Sequence, residues 1–236
     1  MDGVKDKITA EVAVIGGGPA GLVSAIALAL AGVETLLIAR PATAEDHRTT
    51  ALLAGSVTAL ETLGIWQRCR AHAAPLRNIR IVDGTQRLIR APEVYFTAAE
   101  IGLDAFGCNI ENTHLIAALE ARAAALKLSR ITTTALAVKA DAAGVTIKLA
   151  DGEMRVRLAI GADGQRSICR AAAGIDTKRH SYPQTALALN LQHARPHNDT
   201  STEFHTESGP FTLVPLPGRR SSLVCVLDPA GARVVD

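Results

Sequence analysis

The stretch "EVAVIGGGPAGLVSAIALALAGVETLLIA", residues 11–39, decides the fold. Its first part, "AEVAVIG" from Ala10, is almost wholly apolar, the pattern of a strand buried on both faces of a parallel sheet. Gly16-Gly17-Gly18 interrupts it, and Pro19 suits the first turn of a helix, where its missing N–H would be unpaired anyway. In "AGLVSAIALALAG", residues 20–32, small residues recur every fourth position at Gly21, Ala25 and Ala29, so one helix face can lie close to a sheet. Gly32 is a natural helix stop, and "VETLLIA" follows as a second buried strand. Strand, helix, strand in so short a run is a βαβ unit, the start of a doubly wound α/β fold.

The same run carries no charge from Val12 to Val33 and could be mistaken for a membrane span. The glycines break it, Glu11 and Glu34 bound it, and Asp2 and Asp6 dilute Lys5 and Lys7 ahead of it. Neither a transmembrane helix nor a targeting signal is expected. The whole chain of 236 residues is 48% hydrophobic and 20% charged, which fits a packed globule of one large domain or two modest ones. A formal net charge of +2 and 3% aromatics argue against a nucleic-acid partner. Cys69, Cys108, Cys169 and Cys225 lie scattered without a C-x-x-C pair and read as idle thiols.

Further along, "DHRTTALLAGSVTALETLGIW" (46–66) reads as a loop leading into a helix that Gly64 ends. "NIRIVDGTQRLIRA" (78–91) reads as a hairpin around Asp83-Gly84. "NTHLIAALEARAAAL" (112–126) is a helix capped by Asn112 or Thr113. In "GVTIKLADGEMRVRLAIGADG" (144–164), alternating apolar positions on both sides of Asp151-Gly152 give a hairpin. After Ile175, short strand-like runs broken by Pro and Gly suggest a mostly antiparallel sheet.

Gly16 to Gly21 fits G-x-G-x-x-G between a strand and a helix, the context that gives this pattern meaning. Gly16 allows the tight turn, Gly18 lets a pyrophosphate approach the backbone, and Gly21 allows close packing. The helix start at Pro19 and Ala20 offers free N–H groups to the phosphates. Arg40 stands at the end of the second strand, where a ribose-binding carboxylate is usual; an arginine there suits a 2′-phosphate, so an NADP reading stays open. Arg48 lies where a loop could fold over a dinucleotide, although a solvated arginine is the ordinary explanation and, without further pattern, the better one. His193 and His197 have helical spacing, but Pro196 between them opposes a helix, and no metal is expected. A second glycine turn, Asp163-Gly164, follows a strand far downstream and carries an acid, with Ser167 and Arg170 behind it.

These pieces together resemble the class A flavoprotein monooxygenases, and within them the ubiquinone-biosynthesis hydroxylases. The resemblance runs through "GGGPAG", "DHRTTALLAGSVTALETLGIW", "EIGLDAFGCNIENTHLIAAL", "GADGQRSICRAAAGI" and "PHNDTSTEFHTESGPFTLVPLPGRRSSLV". It implies a Rossmann-like FAD-binding domain, residues 1–75 and 98–177, with an inserted, partly antiparallel substrate domain, residues 76–97 and 178–236. It also implies hydroxylation of a lipophilic phenolic ring with NAD(P)H and dioxygen. By the same match Asp163 and Gly164 would serve the ribityl and pyrophosphate region, Arg170 the charged cofactor, Arg48 and Asn112 the flavin side, and Val138 the adenine. The family's third motif, a Gly-Asp pair with a following Ala-His, is expected beyond Asp236, so residues 1–236 resemble the front two thirds of a member. Alone they are expected to bind FAD weakly or not at all, and not to hydroxylate. No protein acid or base stands out as catalytic. A flavin-dependent isoprenoid reductase or epoxidase, or a non-catalytic dinucleotide-binding remnant, would use the same front half. The resemblance implies a cytoplasmic location and leaves open a peripheral association with a membrane or a biosynthetic complex.

Overall fold

The computed structural model describes residues 8–40, 46 and 48–228. In chain order the elements begin β1 (Ile8–Ile15), α1 (Pro19–Leu30), β2 (Thr35–Ile38), β3 (Thr49–Leu53), α2 (Ala54–Thr62), α3 (Trp66–Cys69), β4 (Ala73–Leu76), β5 (Asn78–Asp83) and β6 (Val94–Thr97). They continue with β7 (Gly107–Glu111), α4 (Asn112–Ala125), β8 (Ser129–Ile131), β9 (Ala137–Asp141), β10 (Gly144–Leu149), β11 (Gly152–Gly161) and α5 (Ile168–Ala172). The last four strands are β12 (Thr185–Gln192), β13 (Thr200–Thr206), β14 (Gly209–Leu216) and β15 (Arg220–Leu227). No helix among the described residues is long and apolar enough to cross a membrane.

The chain divides into two compact units, Met1–Ala44 with Ile116–Arg179, and Glu45–Leu115 with His180–Asp236. In the first, a six-stranded sheet runs β8-β2-β1-β11-β10-β9. The four strands β8, β2, β1 and β11 are parallel, as the apolar runs of the central β1 and β2 suggest; Ala13, Val14 and Leu37 are fully enclosed. Leu22 and Ile26 on α1 are also completely buried, each contributing about 1.5–3 kcal/mol by leaving water. The hairpin of β10 and β11 has the expected register, with Val145 opposite Val156 and Leu149 opposite Gly152. Its inward side chains, Val145, Ile147, Met154 and Val156, form one core cluster with Ala13, Ile15, Leu36 and Ile38. Gly152 turns at φ 145°, a conformation side-chain-bearing residues rarely adopt.

The second unit holds two sheets, β3-β7-β4 and β12-β15-β14-β13-β5-β6. The antiparallel sheet expected after Ile175 is there, with one parallel junction where β13 meets β5. Two local readings change. The loop before α2 contains β3, paired with β7 from Thr49–Glu111 to Leu53–Gly107. The return strand after Asp83 is β6, opposite Asn78–Ile81, so Asp83-Gly84 opens a long loop rather than a tight turn. The boundary between the units also falls elsewhere than the sequence suggests: residues 45–75 and 98–115 group with the second unit. The reason is the three-stranded sheet, whose buried Asn109 donates to the Pro215 carbonyl of β14 at 3.0 Å.

Candidate cofactor site

In the first unit the chain leaves β1 toward β2 on one side and returns on its other side as β11. The C-terminal ends of β1 and β11 therefore meet at a switch in strand order, the place where open α/β sheets bind ligands. This is where the two glycine turns come together. Ala162 N donates to the Ile15 carbonyl at 2.8 Å, and Gly16 N to the Ile38 carbonyl at 2.9 Å. A cavity of about 430 Å³ opens here, lined among others by Gly16, Gly17, Gly18, Arg40, Asp163 and Arg166.

The glycines divide their work as the spacing implies. Gly16 sits at φ +119°, and a Cβ on it would overlap the Ala162 carbonyl. A Cβ on Gly21 would overlap the Gly16 carbonyl, so helix and loop touch backbone to backbone. Gly18, by contrast, has nothing within 4 Å of where its Cβ would stand. It is the N-cap of α1 and supplies no capping side chain; Pro19 lacks an N–H, and the first turn holds no acid. Leu22 N bonds to the Gly18 carbonyl at 3.0 Å, leaving the N–H groups of Ala20 and Gly21 to face outward at the positive end of the helix. The open space beside Gly18 leaves that end accessible to an anionic group.

Asp163 is only half occupied by the protein. Its Oδ2 accepts from Ile168 N at 2.7 Å and Cys169 N at 3.2 Å, holding the start of α5. Its Oδ1 is buried with no hydrogen-bond partner among the described residues. Burial opposes ionisation, but the Ser167 side chain and the backbone N–H groups outweigh it and hold this carboxyl below the usual range. A buried carboxylate oxygen left open beside a ligand cavity fits a hydroxyl donor, such as a ribityl or ribose group. Gly164, at φ 82°, turns the chain away with open space around it. Cys169 beside it is pushed up to about 11 by burial and by the Asp163 charge, so its thiol stays protonated. The residues present fit an adenine dinucleotide.

The remaining expected residues are placed less uniformly. Arg40 is exposed on the cavity wall. Val138 lies in β9, packed against the core cluster, and is not part of the cavity lining. Arg170 borders a neighbouring depression; its backbone N–H donates to Ser167 Oγ at 2.9 Å and its guanidinium to the Gln165 carbonyl at 2.9 Å. Thr133 and Thr134, on the cavity wall after β8, escaped the sequence reading; their signal was "RITTT" (130–134), hydroxyls at the end of a parallel strand.

In the second unit Arg48 and Asn112 are brought together by Asp46, which the sequence reading overlooked. Arg48 grips Asp46 with two bonds of 2.8 Å, Asn112 Nδ2 donates to the same carboxylate at 3.0 Å, and Thr50 Oγ1 donates to Asn112 Oδ1 at 2.6 Å. The Arg48 guanidinium holds the Asp46 carboxyl far below the usual range. Their adjacency comes from the β3–β7 ladder, beyond which Asn112 N donates to the Arg48 carbonyl at 3.0 Å. His193 and His197 do meet, ring centroids 6.0 Å apart, yet their ring nitrogens face Ser221 Oγ, carbonyls and the Asp199 N–H.

A family model described as "FAD binding domain" matches residues 9–233. The ubiquinone hydroxylase UbiL of Rhodospirillum rubrum is 36% identical over 95% of this chain and 53% of its own length. The 3-demethoxyubiquinol 3-hydroxylase of Escherichia coli is 33% identical over 94% of this chain and 59% of its own length. The chain thus spans little more than half the length of these relatives. Among solved structures, the flavin-dependent monooxygenase PieE in complex with FAD and substrate superposes with a TM-score of 0.73 at 24% identity, over 93% of this chain and 43% of that one. A match that begins in β1 and runs past β15 leaves no element of either unit outside it, and the chain belongs to the FAD binding domain family.

Proposed function

We propose that this chain carries the cofactor-binding part of an FAD-dependent monooxygenase that hydroxylates a lipophilic, polyprenylphenol-type ring with NAD(P)H and dioxygen in ubiquinone biosynthesis. The observation that carries the cofactor assignment is the pairing, at one cavity, of an open Gly18 backbone with an Asp163 Oδ1 that has no hydrogen-bond partner among the described residues. The similarity to two ubiquinone-pathway hydroxylases carries the substrate class. FAD, when bound, supplies the oxygen chemistry that no side chain can. The protein's part is to hold it: the amides of Ala20 and Gly21 face the pyrophosphate, Gly18 lets it approach, and Asp163 accepts a cofactor hydroxyl. Arg40 stands near the adenosine end, and Arg170 adds positive charge outside. The family resemblance assigns Arg48 and Asn112 of the second unit, tied through Asp46, to the flavin side. The reading also places the protein at or near a membrane, where such a substrate partitions.

The test joins this chain to the remaining portion of the Rhodospirillum rubrum relative and supplies FAD, NADH or NADPH, dioxygen and a short-chain prenylphenol. Mass-spectrometric detection of a hydroxylated ring is the expected result. A FAD-loaded chimera whose NAD(P)H oxidation ignores the phenol would contradict the reading, and reduction or epoxidation of an isoprenoid chain would replace it.

A further inference from the structure

The two most exposed large apolar side chains among the described residues are neighbours, Leu88 at 101% and Ile89 at 87%. They stand in the loop between β5 and β6, flanked by exposed Arg87 and Arg90. An isolated exposed leucine means little, but two fully solvated ones at the tip of a fastened loop are a different matter.

The loop is held from within. Asp83 Oδ1 accepts from Thr85 N at 3.0 Å and Thr85 Oγ1 at 2.6 Å, and its Oδ2 accepts from Ala91 N at 2.9 Å, closing the two ends on one carboxylate. Gly84 N donates to the His205 carbonyl at 2.9 Å, and Gln86 N to Glu207 Oε1 at 2.6 Å, fastening it to β13 and the turn beyond. The acids near the tip are thus engaged, Glu93 among them through a two-bond pairing with Arg80 at 2.7 and 2.8 Å. Arg87 and Arg90 form no ion pair within 4.0 Å among the described residues, although the Arg87 charge helps to lower the Asp83 and Glu207 carboxyls at the loop's base. The apolar surface continues along β6, the sheet-edge strand, where Val94, Tyr95 and Phe96 are 40–48% exposed.

We propose that the loop of residues 84–93 is a bilayer-contacting tip, with Leu88 and Ile89 entering the acyl boundary and Arg87 and Arg90 on anionic headgroups. Apolar residues rimmed by cations suit an anionic lipid surface, which rewards both at once. They suit a second copy of the same tip poorly, because two pairs of arginines would then face each other. The inference rests on the lipophilic-substrate reading only for its usefulness to the protein, and not on the flavin chemistry.

The experiment sediments the chain with vesicles of equal parts phosphatidylglycerol and phosphatidylcholine, or of phosphatidylcholine alone, and titrates the same samples with FAD. The chain should co-sediment with the anionic vesicles, and the double variant Leu88→Ser/Ile89→Ser should partition at least about tenfold less. Arg87→Gln/Arg90→Gln should weaken binding several-fold and abolish its salt sensitivity. All four positions are exposed, so circular dichroism and FAD affinity should stay at parental values. A parent chain that remains in the supernatant with anionic vesicles overturns the proposal. So does a serine variant that binds them undiminished, or one whose only change is loss of a concentration-dependent dimer on gel filtration. None of these results bears on the cofactor site, which the FAD titration reads separately.

Discussion

Ile168 donates its backbone N–H to Asp163 Oδ2 at 2.7 Å, while the other oxygen of the same carboxylate is buried without a hydrogen-bond partner among the described residues. One oxygen thus holds the start of a helix, and the proposed function gives the other to a cofactor hydroxyl. The sequence reading assigned Asp163 to the cofactor alone; the structure adds a duty to the fold. The two duties separate by substitution. Asp163→Ala removes the acceptor of two amides and should cost about 1–3 kcal/mol of stability as well as FAD affinity. Asp163→Asn can keep its oxygen on those amides and present an NH₂ to the ligand. It should melt within a few degrees of the parent yet bind FAD several-fold less tightly. Thermal denaturation and FAD titration of both variants check this.

The glycines of the first turn should respond in opposite ways. Ala at Gly16 or Gly21 meets a backbone carbonyl, and at Gly16 also a positive φ, so each should destabilise by about 2 kcal/mol or more. Ala at Gly18 meets open space at φ −74°, and its urea midpoint should match the parent. A denaturation series over the three variants distinguishes the positions without any ligand present.

Arg48 is paired but exposed, its side chain 73% accessible, and surface pairs of this kind contribute about 0–1 kcal/mol. Arg48→Ala should therefore leave stability nearly unchanged. Asn112→Ala should cost more, about 1–2 kcal/mol, because it removes the bridge between Thr50 and Asp46. If Arg48 serves the flavin side, its loss lowers FAD affinity despite the unaltered stability, and calorimetry reads both.

Acid sensitivity has a defined direction. Hydrogen bonds from Thr85 and Ala91 hold Asp83 at about 2, and Asp163 is also depressed. Carboxyls with lowered folded pKa contribute stability that is fully present above about pH 4 and lost as pH falls through the folded value. These two groups should leave the urea midpoint level from pH 7 to 5 and lower it between about pH 4 and 2. Asp83→Asn should flatten part of that fall.

What could be read from the sequence followed locality. The β10–β11 hairpin was legible because its register is set by adjacent alternation and a Gly-bearing turn, and β1–α1–β2 because its periods and glycines all lie within thirty-odd residues. β3 was not legible: "TTALL" is half exposed and is made a strand only by β7, whose first residue is more than fifty positions away. Asp83-Gly84 carried a turn signal that a parallel partner overrides, since Asp83 pairs with His205 of β13. The cavity was half legible. Glycines announce themselves by spacing, whereas Thr133 and Thr134 acquire their positions only from the tertiary fold; in the second unit the same holds for Asp46.

The central claim is that Gly18 marks the point where FAD pyrophosphate meets the backbone. A FAD titration of the chain beside its Gly18→Val variant, followed by flavin fluorescence, tests this most directly. The expected result is a variant with the parent's melting temperature and at least about tenfold weaker FAD binding, because a side chain then fills the space a phosphate needs. A folded Gly18→Val chain that binds FAD as tightly as the parent would contradict it.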